Sequence, residues 1–421
     1  IEAEKSFEEA NRIFPNRESV IISLINTKIN LDKLLEAKNL IELYLNNNPT
    51  SKKILFSKAI LFAKTGEFHD SIKLLDSFID DDFFSNEEKS DFYILKGTCF
   101  SKIGSPDKAE ECYDTASQLD ASNHNAFWHL SLSKLSISQC RKGWDLYEYR
   151  FKRKNITNPC NVNDLKDFKN KVILVQYEQG YGDIIQFARY LPVLKKFCKK
   201  VLFLIPKELN KLFSQINIEI TNSENGMVYD EKIFLMSLPK LMFRAGINYS
   251  KEDYLNLQFK DADKPFANSK LNVGLAWSGR DDYPYDFLRS IPLLNFKKIL
   301  ELQNNINFYC LQRDIRQSDK DLYQKYKINY AGDKNFFELA NLINSLDLVI
   351  SSDTSILHLS GTLMKETFAL LPFAADWRWG ESTLRTPWYS SVKIFKCENY
   401  ENNWTYPIDN IVQLLNNKFN D

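Results

Sequence analysis

Hydrophobic positions recur every three to four residues from the start of the chain to about residue 150, with Pro or Gly breaking the pattern at intervals. That spacing predicts a string of amphipathic helices. Near residue 171 the pattern changes. Lys171–Gln176 (KVILVQ) and Val201–Ile205 (VLFLI) are short continuous apolar runs, and an amphipathic stretch at 184–197 lies between them. Strand, helix, strand predicts a right-handed parallel crossover. Shorter elements are expected to about 259, then a polar hinge at 260–270 that carries Pro265. A second alternating series follows. It has strands at Asn272–Trp277, Asn307–Leu311, Leu346–Ser351 and Thr367–Leu371, and helices near 295–303, at Phe336–Ser345 and at Asp353–Leu363. The pattern predicts a helical first third and then two Rossmann-like subdomains facing a cleft, with ligands at the carboxyl ends of the strands.

The helical third repeats itself. Ala3, Phe7, Ala10 and Pro15 are spaced 4, 3 and 5 apart; Ala109, Tyr113 and Ala116 repeat the first two spacings, with Ala121 in place of the proline. Pro15 and Pro49 are 34 residues apart, Gly66 and Gly104 are expected in helix-to-helix turns, and Gly97 where paired helices touch. Small residues let helices approach, and Pro or Gly ends them. In this the chain resembles the tetratricopeptide (TPR) repeat. Residues 1–15 read as the tail of one repeat and 18–49, 52–85 and 90–121 as three more; 124–150 continue with two helical segments that include Phe127, Leu130, Trp144 and Tyr147. Stacked helix pairs form a curved solenoid whose concave face suits peptides or proteins. Asp80, Asp81 and Asp82 read as a solvated loop between repeats.

Composition narrows the function classes. Of 421 residues, 55 are Lys or Arg and 55 are Asp or Glu, so the formal net charge is zero. That argues against a chain-wide grip on nucleic acid. Seven cysteines, at 99, 112, 140, 160, 198, 310 and 397, form no CxxC pair. A disulfide framework or structural zinc is not expected, and a reducing cytoplasm is. No apolar run has the length to cross a bilayer, and no signal-peptide pattern is present. The chain opens at Ile1, without Met and inside a helical pattern, as a trimmed fragment would.

Candidate chemistry sits after the predicted strands. The first is followed by Glu178-Gln179-Gly180-Tyr181-Gly182-Asp183. This is not GxGxxG, so a dinucleotide fingerprint is absent, although glycines let a ligand approach the backbone. Asp183 fits either a helix N-cap or a general base at the lip of the cleft. Trp277-Ser278-Gly279-Arg280 and Arg289-Ser290-Ile291-Pro292 place two arginines at one sheet edge. They are either surface charge or a bidentate grip on phosphate. Asp353-Thr354-Ser355 opens a helix after a buried strand, with His358 one turn in. The stretch is either a simple cap with a core histidine, or an anion site of backbone N–H groups, helix dipole and two hydroxyls. Asp261 and Asp263 form a DxD pair of the kind a metal-dependent sugar transferase uses, but in the polar hinge it reads as solvated linker. His358 is the one histidine outside the helical third and no G-x-S-x-G is present, which argues against a serine hydrolase.

In combination, QGYGD with the IIQFARYLP that follows it, AWSGR, RSIP, DTSILH and LLPFAADWRW resemble the glycosyltransferase half of bacterial TPR-containing glycosyltransferases. That half is itself similar to the heptosyltransferases of lipopolysaccharide synthesis, and the resemblance covers roughly 140–396. It implies a GT-B fold, a nucleotide-sugar donor as substrate, no cofactor and no catalytic metal. Asp183 matches the loop aspartate proposed as general base. Arg289 falls where the heptosyltransferases usually have a phosphate-contacting Lys. Asp353, Thr354 and His358 match the donor-binding helix start, with Ser355 where Gly is usual. Gln179, Gly180, Gly182, Trp277, Ser278, Arg280 and Gln312 complete the expected donor side.

The expected architecture is a TPR α-solenoid at 1–123, a helical connection at 124–168, Rossmann-like subdomains at 169–262 (acceptor side) and 263–396 (donor side), and a tail at 397–421. By resemblance, a tail helix at about 408–419 packs back on the first Rossmann unit. Some TPR relatives glycosylate proteins such as flagellin, so the expected acceptor is a protein or peptide on the concave face. The implied reaction is one inverting displacement, run in the cytoplasm. Two rivals stay open: a TPR scaffold with a degenerate transferase body, and a transferase acting on a glycan or lipid.

Overall fold

The computed structural model describes residues 2–160, 162–249, 270–281, 285–380, 384–401 and 403–420. Asp261, Asp263 and Pro265 of the expected hinge lie outside them. The chain divides into two compact units, Ile1–Lys134 with Lys152–Asn155, and Leu135–Phe151 with Ile156–Asp421. The stretch expected to be a connection, 124–168, is therefore shared between the two units.

The first unit is helical. Its elements are α1 (Glu2–Ile13), α2 (Glu18–Asn30), α3 (Leu34–Asn47), α4 (Lys52–Thr65), α5 (Phe68–Asp76), α6 (Asn86–Lys102), α7 (Pro106–Leu119) and most of α8 (His124–Ser136). Consecutive helices from α1 to α7 pack on one another. Gly66, at φ 89°, ends α4 in the left-handed region, and Gly104, at φ 73°, turns the chain after α6. Gly97 is where α6 meets α7: a Cβ there would stand 2.7 Å from Tyr113 Cε1. Ser85 and Glu88 form a capping box that starts α6. Apolar faces fill the interior, with Ile25, Ile29, Ile41, Ile54 and Leu61 in one cluster and Phe78, Phe84 and Phe92 in the next. One feature has no counterpart in the periodicity. Lys28 is buried, with its Nζ 3.0 Å from Glu4, 3.2 Å from Glu8 and 2.6 Å from Glu36.

The second unit contains α9 (Cys140–Tyr147) and two sheets whose named strands all pair in parallel. The first contains β1 (Val172–Gln176), β2 (Lys200–Leu204), β3 (Glu219–Thr221) and β4 (Glu231–Phe234) in the order β3-β2-β1-β4. Ile173 pairs with Val201 on one side and Glu231 on the other. The helix expected at 184–197 starts earlier and breaks. It comprises α10 (Tyr181–Phe187), a 3₁₀ turn at Ala188–Tyr190 and a short turn at Leu191–Leu194. Pro192 has no N–H to continue the ladder and sits at the start of that last turn instead.

The second sheet contains β5 (Leu271–Ala276), β6 (Ile306–Cys310), β7 (Asn329–Tyr330), β8 (Leu348–Ser351), β9 (Thr367–Leu371) and β10 (Val392–Lys396) in the order β10-β9-β8-β5-β6-β7. α11 (Phe336–Ser345) leads into β8 and α12 (Ser355–Thr362) leads out of it. The last helix, α13 (Thr405–Asn420), corrects the expectation for the tail. It packs beside β10 and the helical turns near 293–300 of the second sheet, not on the first. Its stripe of Ile408, Ile411 and Leu415, with Trp404, joins the core of Val273, Phe296, Phe308 and Leu370. The chain leaves β10 at the sheet edge, and an apolar stripe at i, i+3 and i+7 docks on the uncovered face beside it.

Candidate active site

In parallel sheets a crevice opens where connections from neighbouring strands leave in opposite directions. Those places are β1/β4 in the first sheet and β5/β8 in the second. Protein fills the first. Buried Arg150 forks onto Glu178, with Nε and Nη2 each 2.8 Å from a carboxylate oxygen, and donates from Nη2 to Ser237 at 2.7 Å. A recess lined by Pro159, Val162, Asp167, Lys171 and Glu231 lies at the opposite, amino-terminal edge of this sheet, away from the residues of interest.

The loop after β1 delivers Asp183. Gly180 is the N-cap of α10, so Asp183 stands as the third helical residue and the cap reading does not hold. Its Oδ1 accepts from Arg378 Nη2 at 2.5 Å. Its Oδ2 accepts no hydrogen bond among the described residues. Arg378, in the loop after β9, also donates to Asp376 at 2.7 Å and to Gln179 Oε1 at 3.4 Å, and its guanidinium lies 4.3 Å from the ring centre of Trp377. Gln179 in turn donates to the Tyr147 hydroxyl at 2.6 Å. Burial works against the charge of Arg378, but Asp183 and then Asp376 outweigh it and push the guanidinium pKa up. Arg378 was not singled out from the sequence. Its signal was a cation set between two tryptophans just past a buried strand.

At the β5/β8 crevice the expected residues divide. Gln312 Oε1 accepts from the backbone of Trp277 at 2.7 Å and of Ser278 at 3.0 Å, while its Nε2 donates to Ser278 Oγ at 2.9 Å and Asp314 O at 2.8 Å. Trp277 is fully buried, and its indole N–H donates to Asp319 at 2.9 Å. The polar side-chain atoms of these three residues are already paired inside the protein. Arg289 crosses the crevice. Its Nε donates to Asp286 at 3.1 Å and its Nη1 to the Asp353 carbonyl at 3.5 Å. Gly279 makes room for it: a Cβ there would stand 2.5 Å from Arg289 Nη2. Arg316, unforeseen, pairs with buried Asp286 and donates to Ser290 at 3.0 Å. Arg280 is exposed at the rim.

The loop after β8 ends at Thr354, which is the N-cap position of α12 but does not cap with its side chain. Its Oγ1 lies 3.3 Å from Ser351 Oγ, and Ser355 begins the helix. Asp353 carries a pKa pushed up to about 6, by burial first and the Asp376 carboxylate second. His358, matched by resemblance to the donor-binding helix start, lies inside the protein. Its Nδ1 is 3.0 Å from the Tyr389 hydroxyl, its Nε2 is 3.9 Å from Asp353, and Trp379 stacks on its ring at 5.2 Å. Burial first, then Arg378 and Arg189, push the imidazole down to about 3, so it is neutral near pH 7. Gly182 is what lets α10 approach it: a Cβ there would be 2.8 Å from His358 Cδ2.

No protein-family model matches the chain. Protein FlbA of Caulobacter vibrioides is similar to it, 23% identical over 312 residues, 63% of this chain and 51% of that protein. The chain thus spans about half the length of that relative. Among solved structures, the Escherichia coli ADP-heptose lipopolysaccharide heptosyltransferase II matches with a TM-score of 0.41 and 12% identity, over 58% of this chain and 97% of that one. A glycosyltransferase family 9 protein of Veillonella parvula matches with a TM-score of 0.43 and 13% identity, over 56% and 88%. MamA of Desulfovibrio magneticus matches with a TM-score of 0.28 and 16% identity, over 37% and 84%. The chain is similar to TPR proteins in its helical part and to heptosyltransferases in its two sheets.

Proposed function

We propose that the second unit moves a sugar from a nucleotide-sugar donor to an acceptor hydroxyl in one inverting step, and that the helical unit binds the acceptor, a protein or peptide, on its concave face. The observation that carries this reading is the pairing of two half-sites at carboxyl strand ends. Asp183 is held through one oxygen with the other open, and Arg289 spans the β5/β8 crevice above Gly279. In the reaction the acceptor hydroxyl proton passes to Asp183 Oδ2 and the acceptor oxygen bonds to the anomeric carbon. The bond from that carbon to the phosphate oxygen breaks, and its electron pair leaves with the nucleoside diphosphate. Arg289, Arg280 and the start of α12 are the groups that meet the growing charge, the role preorganised donors play in such sites. Arginines take the part a divalent cation plays elsewhere. His358, being neutral, shapes the pocket wall and supplies no charge.

Purified protein incubated with ADP-, GDP-, UDP- and dTDP-sugars and candidate acceptors, followed by mass spectrometry, tests the reading. Donor turnover that falls at least about a hundredfold in Asp183→Asn, the scale of a lost general base, and that survives EDTA, is the expected result. No turnover with any donor would favour a binding protein. Loss with EDTA and rescue by Mn²⁺ would revive Asp261 and Asp263.

A further inference from the structure

We propose that Arg378 is the positioning residue for Asp183, and that the base is set only when the two sheets of the second unit stand together as they do here. The inference rests on the transferase reading above. Asp183 stands in the first turn of α10, which follows β1 of the first sheet, and Arg378 in the short 3₁₀ turn that follows β9 of the second, 195 residues later.

Both terminal nitrogens of the guanidinium have fixed partners. Nη2 is shared by Asp183 and Gln179, Nη1 holds Asp376 at 2.7 Å, and Trp377 packs on the cation. The partners are themselves anchored. Asp376 accepts from the Arg378 backbone N–H at 3.1 Å, closing the short 3₁₀ turn Trp377–Trp379, and Gln179 is held by Tyr147 of α9. A planar fork locked in this way fixes one carboxylate oxygen and so aims the other. Oδ2 is the oxygen left for an acceptor proton.

The same region carries the contacts that keep the sheets together. Arg189, just after α10, donates to the Trp388 carbonyl at 2.8 Å, and Phe187 packs edge-on against Trp388 at 5.4 Å. Gly182 lies against His358 of α12. Separating the sheets would remove Arg378 from Asp183 and leave the carboxylate free to rotate. The site thus makes a competent base conditional on a closed cleft.

The test compares Arg378→Ala, Arg378→Lys and Asp183→Asn with the parent, using whichever of the four nucleotide sugars the parent consumes and calorimetry with ADP, GDP and UDP. For both Arg378 variants kcat should fall about a hundredfold, the scale of an ångström-sized misplacement, while donor KM and nucleoside diphosphate affinity stay within about twofold. Low guanidinium chloride should restore part of the Arg378→Ala rate and ammonium should not, a response that a purely structural role would not produce. A variant carrying both Arg378→Ala and Asp183→Asn should be no slower than Asp183→Asn alone. The lysine variant keeps bulk and charge and carries the test if the alanine variant fails to fold. Parental rates in both Arg378 variants, or loss of nucleoside diphosphate binding with kcat intact, would overturn the proposal alone. No turnover by the parent would overturn the transferase reading and the proposal with it.

Discussion

The charge state of His358 separates two pictures of the site, and it can be read from stability. The imidazole is pushed from its usual 6.5 to about 3 in the folded chain, by burial first. Below pH 6.5 the unfolded chain therefore takes up a proton that the folded chain refuses, and stability falls as pH falls through the window from 6.5 to about 3. Each pH unit in that window is worth about 1.4 kcal/mol. Between pH 7 and pH 5 the loss is roughly 2 kcal/mol. Asp353 acts in the opposite sense. Its pKa is raised from 3.8 to about 6, so the folded chain takes its proton first and regains stability over the same interval. In the parent the two oppose each other. His358→Asn keeps a partner for Tyr389 and removes the penalty, so the variant should gain on the parent by roughly 2 kcal/mol between pH 7 and pH 5, or about 4–8 °C in the transition of the second unit. Calorimetry of both proteins at the two pH values measures it. A gap that stays constant, or that moves against the variant on acidification, would show an imidazolium in the fold and return His358 to the phosphate.

Gly182→Ala should cost about 1 kcal/mol, because overpacking of roughly 1–3 kcal/mol exceeds the helix gain of ~0.5–1 kcal/mol from alanine. The ring it meets is pinned by Trp379 and Tyr389 and cannot swing away; an unchanged or higher Tm would refute this. Arg289→Ala should weaken binding of ADP, GDP or UDP about tenfold or more, the loss of a charge-assisted contact of about 1.5–3 kcal/mol; unchanged calorimetric affinity for all three would move the donor elsewhere. A chain beginning at Leu135 should fold by circular dichroism. One beginning at Lys152 should not, since it strips Arg150 from Glu178, a break of about 3–5 kcal/mol. Two equally folded chains would show that Arg150 is dispensable.

Local periodicity was enough to place many of the elements. Helix after helix to residue 150, the strands at Val172–Gln176, Leu271–Ala276 and Thr367–Leu371, and α11 at Phe336–Ser345 can all be read from spacing. Gly66, Gly97 and Gly104 announced their turns and contact. Each of these depends on neighbours within a few residues, where side-chain period and backbone sterics act directly. The sheet edge proposed to carry chemistry rests on the general rule that ligands in parallel sheets gather at carboxyl ends.

What spacing could not convey was which of those edge residues face a ligand and in what charge state. Trp277 and Gln312 stand right after strands, yet their polar atoms are taken by Asp319 and by the strand-end backbone. His358 shares a helical face with Ser355, but its neutrality comes from burial and from Arg378 and Arg189, which are distant in the chain. The tail helix has an apolar stripe that would fit either sheet, and the position of β10 at the edge of the second decides its place. Asp183 was legible as a carboxylate in a glycine loop, while its partner lies 195 residues on. Patterning acts through nearest neighbours along the chain. Desolvation and ion pairing act through space, and only the packed fold says which charges meet.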